Sequence, residues 1–123
     1  MLEEERLRRI ELAACYRLVA HFGMSDLVFT HISARAPAHE RALLVNPYGL
    51  LFDEIRASDL VMVDDAGRAL TPAAAPVNPA GIVIHTAIHG ARPDALCVIH
   101  THSVAGMAVA AQREGLLPVC QHA

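Results

Sequence analysis

Residues 78–103 read NPAGIVIHTAIHGARPDALCVIHTHS. Ile84 and Ile88 stand four apart, the spacing of one helical face, and predict a helix over residues 80–90. ARPD then breaks it. The apolar run Leu96–His100 predicts a strand, the most buried of the sheet, and Ser103–Arg113 returns to helix with Gly115 as its stop. A strand alternates its faces, so His100 and His102 project side by side. His85 and His89 are i and i+4 on the preceding helix and share a face there.

Working outward, residues 3–22 predict a long helix, with Leu7, Ile10, Ala14 and Leu18 as its apolar stripe and Gly23 as its stop. Val28–Ala34 alternates and is rich in β-branched residues, so a strand is expected with His31 in its middle. Leu43–Asn46 predicts a second strand closed by the turn NPYG. Leu60–Val63 predicts a third closed by DDAG, with Ser58 or Asp59 capping a short turn before it. TPAAAPVNP (71–79) carries three prolines and is expected to be loop. Leu116–Cys120 predicts one more strand. Helices and partly hairpin-joined strands in this order indicate an α/β or α+β layer.

The 123 residues suit one domain. Hydrophobic residues make up 54% of the chain, five residues are aromatic, and mean hydropathy is +0.34. So apolar a surface invites a partner chain or further polypeptide. A formal charge of −3 and a pI near 6.2 argue against nucleic acid as partner. No run reaches the ~20 apolar residues of a membrane span, and MLEEERLRRIEL has no apolar signal core. Cys15, Cys97 and Cys120 are odd in number and lie in apolar stretches. They read as small reduced hydrophobes in a cytoplasmic protein. All ten basic residues are arginine. Schiff-base chemistry needs a lysine amine, so carbonyl chemistry within this chain needs another route.

Two readings of the HxH pair stay open. Its imidazoles can hold a divalent metal, zinc or also manganese, iron or cobalt, or they are a hydrogen-bonded pair at a strand end. A catalytic zinc usually takes three protein ligands. His85 and His89 read as structural or partly exposed. His31, beside Thr30 and Ser33, lines a pocket or is structural. His21 faces the last helix carbonyls, and His39 is solvated.

Taken together, the 78–103 stretch resembles the class II aldolase/adducin family: a helix, an RPD turn, then a strand ending in HxH. FTHISAR (29–35), NPYGLLFDEIRASDLVMVDDAGR (46–68) and GLLPVCQHA (115–123) resemble further family segments in the same order. The resemblance implies an α/β fold, a three-layer α/β/α sandwich with a largely antiparallel central sheet. Residues 1–123 would then be the N-terminal half to two-thirds of one such domain. It implies a homotetramer acting on a small molecule. His100 and His102 match two of three histidine metal ligands, and the metal, usually zinc, polarises a carbonyl and stabilises an enediolate. Metal in place of a Schiff base agrees with the missing lysine.

The departures matter equally. The family's third histidine lies well beyond the HxH helix, and His122 comes too early to match it. Either this chain is a fragment, or its metal site is incomplete, or another chain completes it. Where the sugar-phosphate aldolases carry two serines and a catalytic glutamate, this chain has Pro79, Ala80 and Gly81, and glycine transfers no proton. His31 replaces an asparagine and Tyr48 a threonine of the phosphate-binding strands, while Gly49 matches. His31, Asn46, Gly49 and Asn78 are thus the expected substrate-binding positions, and His31, Tyr48 and His85 the candidates for proton transfer. These replacements resemble the adducin-like branch. The expectation is a metal-dependent aldolase-type lyase. The alternatives are a non-catalytic adducin-like binding and oligomerisation domain, or a metal-dependent decarboxylase.

Overall fold

The computed structural model describes residues 2–37, 39, 41–72 and 76–121. The elements run α1 (Glu3–His21), β1 (His31–Arg35), β2 (Leu43–Val45), β3 (Val61–Val63), α2 (Pro79–Ala91), β4 (Cys97–His100) and α3 (Val104–Ala110). The strands form one antiparallel sheet in the order β3-β2-β1-β4.

Alternation along the strands sorts the core into two clusters. Ile32, Ala34, Leu44 and Met62 pack with Leu12, Tyr16 and Val19 of α1. Leu43, Val45, Val61 and Val63 pack with Ile82 of α2. One helix therefore lies on each face of the sheet. Tyr16 anchors the first cluster. Its ring meets Phe52 edge-on at 4.6 Å, a favoured aromatic geometry. Its hydroxyl accepts from the backbone N–H of Ile32 at 3.2 Å and of Asn46 at 3.0 Å, and its own proton faces Ile32 O and Asn46 Oδ1. Burial raises the phenol's pKa, so it stays a neutral bridge from β1 to the end of β2.

The buried helix faces differ from those the apolar spacing predicts. On α1, Leu7, Ile10, Ala14 and Leu18 are exposed, and Arg9, Leu12, Ala13, Tyr16 and Val19 are buried. Arg9 is tolerated inside because it donates to Glu5 Oε1 at 2.7 Å and Leu60 O at 2.6 Å. On α2, Ile84 and Ile88 face solvent, and Gly81, Ile82, His85 and His89 point inward. The reason lies on β1: this sheet face presents His31 and Ser33, polar groups that need imidazole partners rather than isoleucines.

Further expectations are corrected. β4 is an edge strand, half-exposed along its length rather than the most buried. Strand β1 starts at His31, because residues 27–29 form a turn, so His31 is its first residue. Leu116–Cys120 forms no strand: no described strand lies beside it, and Leu116, Leu117 and Val119 are exposed. Cys97 and Cys120 are exposed too, so only Cys15 is even partly a packing residue. The DDAG turn forms as expected, with Asp64 Oδ1 accepting from Ala66 and Arg68 N–H at 3.0 and 2.9 Å. Asp59 Oδ2 accepts from Arg56 N–H at 2.9 Å, capping the turn before β3. His21 is exposed with its ring edge-on to Phe22, and His39 is exposed. Ala73–Ala75 of the proline-rich loop, and His122, lie outside the described residues.

Candidate metal centre and histidine cluster

Antiparallel register sets His31 directly opposite His100. Opposed residues share a sheet face, and the two rings stack with centroids 4.6 Å apart and planes 12° from parallel. Ser33, two residues on, shares that face. Pro79 starts α2 with its φ already helical, and the Asn78 side chain caps it by accepting from Ala80 N–H at 3.0 Å. The helix then lays His85 and His89, one turn apart, over His31 and Ser33.

The contacts are close. His31 Nδ1 lies 2.7 Å from His85 Nε2. Ser33 Oγ lies 2.5 Å from His85 Nδ1 and 2.8 Å from His89 Nε2. His89 Nδ1 donates to Ala95 O at 3.1 Å. Arg35 closes this end: it donates to the carbonyls of His89 at 2.6 Å, Ala95 at 3.0 Å and Arg92 at 3.2 Å, satisfying the C-terminus of α2.

At the open end of β4, His100 Nε2 and His102 Nε2 face each other at 2.9 Å. His102 Nδ1 donates to Asp26 Oδ2 at 2.8 Å, and His102 N–H donates to Met24 O at 3.3 Å. Asp26 opens the turn before β1, where Leu27 has a φ of +45°, a region bulky residues seldom adopt. Phe29 N–H donating to Asp26 O at 2.9 Å holds that turn.

Burial disfavours charge on these imidazoles. The pKa of His85 falls to about 3, chiefly through desolvation and then through His31, His89 and His100. That of His31 falls to about 4, through desolvation and then His100 and His102. Desolvation likewise lowers His89 and His100. All four are neutral imidazoles at pH 7.

The sequence-predicted positions separate into two groups. His31, Asn46, Asn78, Gly81 and His85 line one narrow cleft of about 10 Å³, room for roughly one water. Asn78 is committed to its cap. Asn46 contacts Tyr16 Oη at 3.0 Å and donates to Pro47 O at 3.3 Å. Gly49, with a φ of +102°, and the exposed Tyr48 form a turn outside that lining. Tyr48 N–H donates to Pro76 O at 2.7 Å, fastening the turn to the segment before α2. A Cβ on Gly81 would lie 2.9 Å from His31 Cδ2 and 3.2 Å from its Nε2. The His31 ring thus fills the space a side chain at 81 would need. Asp26 and Arg35 escape sequence reasoning, since their partners lie 54 to 76 residues away and no local spacing marks them.

Among the described residues, no group of three or more His, Cys, Asp or Glu is arranged to hold a metal. The HxH pair does fit an ion as two ligands. Its Nε2 atoms converge to within a few tenths of an ångström of the separation two ~2.0–2.1 Å Zn–N bonds require. Asp26 on His102 Nδ1 is a carboxylate partner of the kind that would direct the other nitrogen's lone pair at a metal.

Comparison with known proteins addresses the family and the fold. The family model for the class II aldolase and adducin N-terminal domain matches residues 10–123. The "Putative aldolase class 2 protein" of Pseudomonas aeruginosa is 55% identical over 92% of this chain and 43% of its own length. Alpha-adducin of Rattus norvegicus is 44% identical over 97% of this chain and 16% of its length. The crystal structure of an aldolase II superfamily protein from Pseudomonas syringae superposes with a TM-score of 0.93 at 48% identity, covering 99% of this chain and 49% of that one. L-fuculose 1-phosphate aldolase from Glaciozyma antarctica gives a TM-score of 0.81 at 35% identity, covering 86% and 44%. The chain thus spans under half the length of the bacterial relative and of both solved structures. On its sequence and its fold, the chain belongs to the class II aldolase and adducin family.

Proposed function

We propose that this chain is the metal-binding half of a divalent-metal-dependent lyase that cleaves a carbon–carbon bond in a small hydroxy-carbonyl substrate. The observation that carries the reading is the His100–His102 pair, with facing Nε2 atoms and Asp26 behind. A divalent ion, zinc or manganese, would supply the positive charge that polarises the substrate carbonyl. A third ligand would come from residues outside these 123 or from another subunit. His100, stacked on His31, keeps one ligand rigid, and the Asp26 carboxylate orients the other.

Gly81 has no side chain to handle a proton, and His31 occupies the space beside it. His31 Nε2 has no partner among the described residues, so it is the atom that takes up the hydroxyl proton as the bond breaks. The bonding pair passes into the carbonyl-bearing fragment. His85 is already held by hydrogen bonds on both nitrogens, and Tyr48 lies outside the cleft lining. Both suit proton transfer less well. Asn46 and Asn78 line the narrow cleft beside His31, and Gly49 lies in the turn outside it, so these residues are proposed to act at the rim where substrate approaches.

The same reading treats residues 1–123 as the N-terminal part of one domain, whose helix-covered sheet belongs to a three-layer α/β/α sandwich. The whole protein is a cytoplasmic homotetramer, for which the exposed apolar faces of α1 and β4 give packing surface. A second reading, an adducin-like domain that binds and oligomerises without turnover, draws on the alpha-adducin similarity and on Gly81.

Elemental analysis of the full-length protein, with His102→Ala as comparison, tests the metal. About one ion per subunit in the parent and its loss in the variant are expected. Unchanged content would sink the metal centre. Metal-dependent cleavage of hydroxy acids or sugar phosphates separates the lyase from the adducin-like reading. Bound metal without turnover on any of them favours the latter.

A further inference from the structure

The chain of contacts Ala95 O, His89, Ser33, His85, His31 has only one consistent arrangement of protons. It starts at a backbone carbonyl, which can only accept, so His89 Nδ1 carries the hydrogen. His89 is neutral. It is 4% exposed, no carboxylate faces it among its described contacts, and the Arg35 guanidinium binds its own carbonyl. Its Nε2 is therefore bare and accepts the single Ser33 hydroxyl proton. That hydroxyl, having donated, accepts from His85, whose hydrogen must sit on Nδ1. His85 is 1% exposed and neutral, which leaves its Nε2 bare to accept from His31 Nδ1. Every assignment follows from the one before it.

We infer that His89, Ser33 and His85 form a one-way hydrogen-bond chain that holds His31 in its Nδ1–H tautomer and keeps the Nε2 lone pair available beside Gly81. Ser33 is 0% exposed and central: it is the link that sets the direction. The chain orients and does not conduct. Its far end is a carbonyl, which cannot keep a proton, and the Arg35 charge beside that end opposes one arriving. Ser33, His85 and His89 are positioning residues, and their value to catalysis rests on the role given to His31 above. The arrangement also accounts for the polar face of α2 being the buried one. Two imidazoles one helical turn apart are needed to bracket a single serine hydroxyl.

The test is the tautomer itself, read from long-range ¹H–¹⁵N correlation spectra of the full-length protein labelled at histidine, near pH 7. Each signal is assigned by single-histidine substitution. His31, His85 and His89 are each expected to show hydrogen on Nδ1. In Ser33→Ala, His85 and His31 are expected to lose that pattern and shift toward hydrogen on Nε2. His89, still bonded to Ala95, should keep its pattern and report an intact fold. Ser33→Thr, which restores a hydroxyl, should restore both signals. An Nε2–H signal for His31 in the parent protein would overturn the inference outright, whether or not Ser33→Ala folds. Retention of the His31 pattern in a folded Ser33→Ala protein would overturn the role of the chain. Lyase assays that fail on every substrate would count against the proposed function while leaving the tautomer result to stand or fall alone.

Discussion

His31 and Gly81 are one decision made at two positions. An imidazole at the start of β1 occupies the volume that a side chain at 81 would claim, so the pair must be read together. Gly81→Ala is expected to push a Cβ into the His31 ring and destabilise the fold by about 1–3 kcal/mol. Urea unfolding should show most of that loss disappearing when the change is made in a His31→Ala background, and additive losses would contradict the packing argument. Asp26 is the other residue whose role is not local. It is half-exposed, so Asp26→Asn should leave stability nearly unchanged. It should weaken divalent-metal binding by roughly 10–100-fold, measured by competition with a chelator. Sequence spacing alone marks His100 and His102 as a pair, although β4 ends at His100 and His102 lies just beyond it. That spacing does not reveal Asp26, because that carboxylate is brought in by a turn 76 residues earlier.

The same logic governs whole elements. α2 is joined to the sheet by an imidazole–hydroxyl seam at one end and by Ile82 at the other. Ile82 touches Gly67, whose φ is +76° and whose added Cβ would meet Ile82 Cγ2 at 2.4 Å. Gly67→Ala therefore combines backbone strain with a clash, and a loss of about 2 kcal/mol or more is expected in urea unfolding. The seam also makes stability depend on pH. A histidine with pKa about 3 folded and about 6.5 unfolded binds more protons unfolded between those values. Its contribution is complete above pH 6.5 and is lost as pH falls toward 3. The urea midpoint should already drop between pH 7 and pH 5, above the range in which ordinary carboxylates titrate. His85→Gln should flatten that dependence, and an equal slope in the variant would place its origin elsewhere. Helix periodicity finds α1 and α2 almost to the residue, yet it misjudges which face of each is buried. Apolar spacing reports what could be buried. The sheet decides what is, and β1 offers Tyr16 backbone groups to hold on one side and His31 and Ser33 on the other.

At the scale of the whole molecule, the sheet is unevenly covered. α3 has no buried residue, and Ile99, Val104, Met107, Leu116 and Val119 are exposed. A seven-residue helix without packing is marginal in water. In the 123-residue chain studied alone, amides of 104–121 should exchange at close to unfolded-chain rates while those of β1 and α2 are protected. Strong protection across α3 in a monomer would show packing that the structure lacks. The exposed stripe Leu7, Ile10 and Leu18 is expected to drive concentration-dependent association visible by light scattering. The order of the seven observed elements and the HxH pair were legible in the sequence, although the strand expected at Leu116–Cys120 does not form; the largely antiparallel sheet was implied by the family resemblance. The causes of that order and that pair are local: period-2 and period-3.6 patterns, proline and glycine punctuation, and side chains two apart at a strand end. Tertiary structure alone decided that β4 is an edge, that His31 stands opposite His100, and that Ser33 lies between two histidines of α2. Register and helix placement bring together residues more than 50 apart in the chain, and no local spacing records such a meeting.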